Sequence, residues 1–148
     1  MARAPEVTFY LLNQAEESAW LSQVCQLVAE QFSQRRKIAI RAQSQEQAER
    51  FDELLWQQPP ERFIPHNLVG EGPNGGAPVV IGWDQPLENY GSGRQLVINL
   101  ASDCAPFVRG VQRIIDFVPL QDDEKELARE RFRTYRRTGA NIDTQPLS

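Results

Sequence analysis

Short runs of β-branched and aromatic residues alternate along this chain with stretches whose apolar positions recur every three or four residues. Thr8–Leu12 (TFYLL) and Lys37–Ile40 (KIAI) read as the first two strands. Pro78–Trp83 (PVVIGW), Gln95–Leu100 (QLVINL) and Ile114–Val118 (IIDFV) read as three more. Between the first pair, Ala15, Trp20, Leu21, Val24, Leu27, Val28 and Phe32 mark one buried face of a helix. Asn13 is placed to cap it, with Glu16 as the second half of a capping box. Ser44 and Gln47 repeat that pattern ahead of Ala48, Phe51, Leu54 and Leu55. This second helix has to stop before Pro59–Pro60, because the residue preceding a proline is pushed out of the helical region. A short helix is expected near Ala105–Val111, and a last one over Asp122–Thr138 with Gly139 at the position after its cap. Asp84–Arg94 reads as a polar turn or hairpin connection, and Asn141–Ser148 as a loose tail. The alternation predicts one α/β domain over residues 1–148, a mostly parallel sheet with helices on both faces.

Composition narrows the function classes. A chain of 148 residues, 41% hydrophobic and 24% charged, is an ordinary globular domain in length and make-up. No apolar run reaches the roughly 18 residues that a membrane span needs, and MARAPEVTFYLLNQ has no signal-peptide core. Cys25 and Cys104 match no metal or redox spacing and read as buried thiols of a cytoplasmic protein. A net charge of -4 argues against a dedicated duplex-DNA binder, which needs a broad basic footprint.

The stretch Gly70–Pro78 (GEGPNGGAP) contains the spelling G-x-G-x-x-G at Gly70, Gly72 and Gly75. A dinucleotide turn leaves a strand and opens a helix, so that pyrophosphate meets the helix N-terminus. Here the glycines follow a proline-rich loop, include Pro73 and run into a strand. They read as a turn that needs positive φ, and the fold is expected without the nucleotide site. His66 is the only histidine and reads as a hydrogen-bonded loop residue. No catalytic constellation and no metal or cofactor site is recognised.

Two features stand above this background. The segment Gln57–Ala77 is long for a loop and carries Arg62–Val69 (RFIPHNLV), with Trp56 just ahead of it. Its aromatic and apolar residues can form a protein-docking patch or fold back as a lid on the sheet edge. The second is the last helix, where Lys125, Arg129, Phe132, Arg133 and Arg136 fall within about 100° of helical arc. Leu127, Ala128 and Tyr135 lie to one side and are expected to face the sheet. Acids in the first turn and arginines in the last suit the helix dipole of any solvated helix. A phenyl ring inside the basic stripe also suits an apolar socket for an acidic peptide that ends in an aromatic residue.

VTFYLL, then PPERFIPHNLVGEGPNGGAPVVIGW, then DFVPLQDDEKELARERFRTYRRTGANI resemble the chi subunit of bacterial DNA polymerase III holoenzyme over nearly the whole chain. The most specific pieces are F-I-P-H-N-L-x-G-E-G-P-x-G-G-A-P and D-F-V-P followed by L-A-R-E-R. The resemblance implies an accessory subunit with no catalytic site and no cofactor. It implies two partners: the psi subunit of the clamp loader, and the acidic C-terminal tail of single-stranded DNA-binding protein. In some members a DNA-repair helicase takes the place of psi, and nucleic acid is reached only indirectly. By the same resemblance, Trp56, Phe63 and Pro65 match the psi-facing positions. Val118, Lys125, Arg129, Phe132, Arg133 and Arg136 match the tail-binding positions. The family often has tyrosine at 132 and lysine at 133. Two competing readings are a nucleotide-using enzyme on the same fold and a module that binds single-stranded nucleic acid directly through the arginine stripe.

Overall fold

The computed structural model describes residues 4–58, 63–73 and 75–147. Pro59 and Pro60, expected to end the second helix, lie outside the described residues, as do Arg62 of the aromatic loop and Asn74 of the glycine stretch. The chain forms β1 (Glu6–Leu11), α1 (Glu17–Ser33), β2 (Ile38–Arg41), α2 (Gln45–Trp56), β3 (His66–Leu68), β4 (Val79–Gly82), β5 (Leu96–Asn99), β6 (Arg113–Val118), α3 (Asp122–Arg137) and β7 (Asn141–Pro146). A one-turn 3-10 helix, Leu87–Tyr90, stands between β4 and β5. The seven strands make one sheet in the order β3-β4-β2-β5-β6-β1-β7, and every pairing is parallel.

Period-two alternation divides the core between the two faces of the sheet. Ile38, Ile40, Val79, Ile81, Leu96 and Ile98 point to the face covered by α1 and α2. Ala39, Val80 and Val97 point to the face covered by α3, where they meet Tyr135 and Tyr90. Connection direction explains this split. The chain moves from β1 to β2 to β3 in one direction along the sheet, and from β6 to β7 in the other. Right-handed crossovers travelling in opposite directions must place their helices on opposite faces.

Several elements differ from the sequence reading. α1 starts at Glu17, and its flanking residue Glu16 makes no side-chain cap. Asn13 instead accepts a hydrogen bond at Oδ1 from Gln23 Nε2 (3.1 Å). The Ser44 cap forms as expected, with Ser44 Oγ accepting from the Gln47 amide (3.2 Å). Ala105–Val111 is irregular, not helical. Pro106 has no amide to give, the Ala105 amide is taken by Tyr135 Oη (3.0 Å), and so short a segment cannot offset the cost of a helical nucleus. Asp84–Arg94 is no hairpin, since β4 and β5 lie on either side of β2. The segment expected as a loose tail is not one over its described residues, 141–147: Asn141–Pro146 pairs with β1 in register along all six residues. β3 falls inside the segment read as a loop; three residues are too few to display a period.

Candidate functional site

α3 is fastened to the sheet by a buried polar cluster. Asp116, fully buried in β6, accepts from Arg131 Nε (3.2 and 3.1 Å to its two oxygens). It also accepts from Tyr135 Oη (2.9 Å), Asn99 Nδ2 (3.1 Å) and the Phe117 amide (2.7 Å). Arg131 spends its remaining donors on the carbonyls of Ser102 (2.9 Å) and Phe117 (3.1 Å). Burial pushes the Asp116 carboxyl up from its ordinary range, and the Arg131 guanidinium is the largest influence pulling it back. The inward face of α3 is therefore Ala128, Arg131 and Tyr135. Leu127, expected to face the sheet, is 40% exposed. The sequence reading missed Arg131. The signals for it were a lone acid inside the apolar strand IIDFV and an arginine four residues before Tyr135 on the inward face.

This anchoring presents Phe132 at the seam between α3 and the sheet. Phe132 is half-buried and packs on Phe9, ring centroids 5.6 Å apart. Beside it lies a cavity of about 200 Å³ lined by Phe9, Val118, Ala128, Arg129, Phe132, Arg133 and Thr144. An enclosed apolar cavity of about 150 Å³ suffices to hold benzene, so this open cleft has a volume comparable to that of one aromatic ring. Val118, Arg129, Phe132 and Arg133 are thus brought together around one opening. Lys125 and Arg136 share the stripe but do not line the cavity. The two rim arginines share one carboxylate: Glu126 is 3.0 Å from Arg129 and 3.8 Å from Arg133.

A second surface lies at the β3 edge. Trp56 ends α2, and Trp56 and Phe63 are each 55% exposed with ring centroids 5.7 Å apart. Pro65 is half-buried beside them. Ile64 between them is buried, so the segment covers the sheet edge with one side chain and shows aromatic rings to solvent with others. His66 underlies the patch, its ring 4.6 Å from that of Trp56. Its Nδ1 lies 2.7 Å from the Ile64 carbonyl oxygen, and its Nε2 lies 3.2 Å from the Asp52 carboxylate. It is hydrogen-bonded, as the sequence suggested, but within a strand and buried.

Two of the glycines, Gly75 and Gly76, serve an internal arginine. Gly70, Gly72, Gly75 and Gly76 have φ of +89°, +82°, +82° and +80°. Arg94, itself buried, donates to the carbonyls of Gly75 (3.0 Å), Pro78 (2.8 Å) and Tyr90 (2.9 Å). A β-carbon on Gly76 would stand 2.6 Å from the Arg94 guanidinium. The loop needs close approach to this side chain. The crevice where neighbouring connections diverge, between the C-terminal ends of β2 and β5, is the usual ligand position in open parallel sheets. Here Arg41 crosses it, forking onto both Asp103 oxygens (2.9 and 3.0 Å) and onto Asn99 (2.8 Å). Among the described residues no cluster of metal-ligating side chains occurs, and no helix is long and apolar enough to cross a membrane.

The family profile described as DNA polymerase III chi subunit, HolC, matches residues 4–143. The chain belongs to that family. DNA polymerase III subunit chi of Escherichia coli K12 is 43% identical over 141 residues, covering 93% of this chain and 95% of the relative. The subunit chi of Haemophilus influenzae is 35% identical over 144 residues (96% and 97%), and that of Pseudomonas aeruginosa 32% over 141 residues (95% and 96%). The matches run through both surfaces described above. They place the chain among the accessory subunits of a replicative DNA polymerase, as the motifs implied.

Proposed function

We propose that this chi chain is a non-catalytic adaptor with two docking surfaces on one rigid body. The α3 surface takes the acidic C-terminal tail of single-stranded DNA-binding protein. The terminal aromatic ring enters the cavity between Phe132 and Val118, and its carboxylates meet Arg129 and Arg133, with Lys125 and Arg136 extending the positive field along the helix. The Trp56–Phe63–Pro65 surface takes the psi subunit and through it the clamp loader; a DNA-repair helicase is the other candidate for that face. Joining two weak contacts raises effective concentration, so modest affinities suffice to hold the polymerase at protein-coated template. The observation that carries this reading is the ring-sized cavity beside Phe132, rimmed by two exposed arginines.

The test is titration of a labelled tail peptide. Binding is expected in the micromolar range, about -8 kcal/mol, weakening with salt because rim charges are screened. Arg129→Ala weakens it with the melting temperature unchanged, whereas unaltered affinity removes the assignment. Phe63→Ala reduces co-purification of psi and spares the peptide. Binding of naked single strands equal to that of protein-coated strands favours the direct nucleic-acid reading instead.

A further inference from the structure

A larger cavity, of about 730 Å³, opens at the other end of the strands, where β1, β5 and β6 begin and α1 ends. Its size falls in the range of small-molecule sites, about 300–1,000 Å³. Among the described residues, Arg35, Arg36, Arg109 and Arg113 line it against a single carboxylate, Glu6, on a chain whose net charge is -4. Arg36 is held in place by Gln31, whose Oε1 accepts from its Nη1 at 2.6 Å. Arg113 reaches Glu6 at 3.4 Å, both side chains being partly exposed. Arg35 and Arg109 have no ion pair among the described residues. The carbonyl end of α1 brings about half a negative charge to this place, which one guanidinium more than offsets.

Arg35 is held in a conformation that glycine prefers. It follows the α1 cap with φ of +63°, the only non-glycine residue with positive φ among those described. The β-carbon there costs on the order of 1 kcal/mol, and glycine is the common solution at this position of a helix end. Backbone strain of this sort gathers at functional sites, and here the residue concerned supplies one wall of the charged cavity.

We propose that this cavity binds a small, multiply charged phosphate anion, with the four arginines closing on its oxygens. Guanidinium forks pair bidentately with phosphate, and the described lining has arginine without lysine. Four positive side chains facing one carboxylate call for more than one negative charge. A nucleic-acid strand fits less well, because strand binding uses aromatic platforms and among the described residues no aromatic one lines the cavity.

The experiment titrates the full chain with pyrophosphate, followed by calorimetry and by thermal unfolding. Pyrophosphate is expected to raise the melting temperature with the logarithm of its concentration once that exceeds the dissociation constant. Arg35→Gly and Arg109→Ala each weaken its binding about tenfold or more, the loss of one charge-assisted contact. Arg137→Ala, which removes the same charge elsewhere, leaves binding unchanged. Without ligand, Arg35→Gly melts no lower than the parent, since glycine takes that φ freely; this separates loss of binding from loss of fold. No stabilisation at millimolar pyrophosphate, affinity unchanged from the parent in either cavity variant, an equal response to citrate, or binding of an oligonucleotide alone overturns the proposal.

Discussion

Arg131 Nε stands within 3.2 Å of both carboxylate oxygens of Asp116, and neither side chain is exposed beyond 7%. This pair sets the height and rotation of α3 on the sheet, and through them the opening beside Phe132. Removing one partner leaves the other as a buried, uncompensated charge. Arg131→Met or Asp116→Leu alone is expected to cost about 3–5 kcal/mol, read as a lower urea midpoint. The double variant, which removes both charges, is expected to be more stable than either single one. Additive losses in that cycle would show that the two groups do not act as a unit.

Glu126 occupies both rim arginines of the proposed tail site. It touches Arg129 at 3.0 Å and Arg133 at 3.8 Å, with all three side chains more than half exposed. An incoming carboxylate has to replace it. Exposed pairs of this kind are worth about 0.2–1 kcal/mol, so Glu126→Ala should tighten tail-peptide binding by up to about fivefold. Reduced affinity in that variant would mean that Glu126 orients the arginines more than it competes for them.

The strands and the long helices were legible because burial on a sheet face or a helix stripe imposes a period, and the residues that obey it dominate this sequence. What did not show was decided by contacts distant along the chain. Asn13 looks like a cap only until Gln23 claims it. Apart from Ile142, Asn141–Pro146 has exposed and mostly polar side chains because it is an edge strand, so its pairing with β1 left no alternation to read. The arginine stripe and Phe132 were visible as a pattern, but only Asp116, fifteen residues upstream of Arg131, decides which way that stripe faces.

The glycine turn and Arg94 should fail together. Gly76 has φ of +80°, and its missing β-carbon makes room for the Arg94 guanidinium. Gly76→Ala is expected to destabilise by more than 1 kcal/mol, from strain at positive φ and from the overlap. Arg94→Met keeps much of the bulk but leaves the carbonyls of Gly75 and Tyr90 without their side-chain donor, at a cost of about 1–3 kcal/mol for each buried one, while the Pro78 carbonyl keeps the Ile38 amide (2.8 Å). Thermal unfolding measures both, and a nucleotide should rescue neither variant.

Burial also writes a pH dependence into the fold. Cys25 is buried, and desolvation pushes its thiol from 9.0 to about 12; the Tyr90 hydroxyl rises from 10.0 to about 12 for the same reason. Both groups are neutral when protonated, and the folded chain holds those protons to higher pH than the unfolded chain. Stability they contribute is complete below about pH 9 and is lost as pH climbs toward 12, because the unfolded state gains by ionising first. The urea midpoint should therefore be flat with respect to these groups from pH 7 to 8.5 and fall progressively above pH 9. Cys25→Ala should lessen that fall while lowering the midpoint at neutral pH, since a buried side chain is truncated. A thiol reagent at pH 8 should modify Cys25 only at urea concentrations that unfold the chain; rapid labelling in buffer would mean that α1 opens locally and that the alkaline sensitivity arises elsewhere.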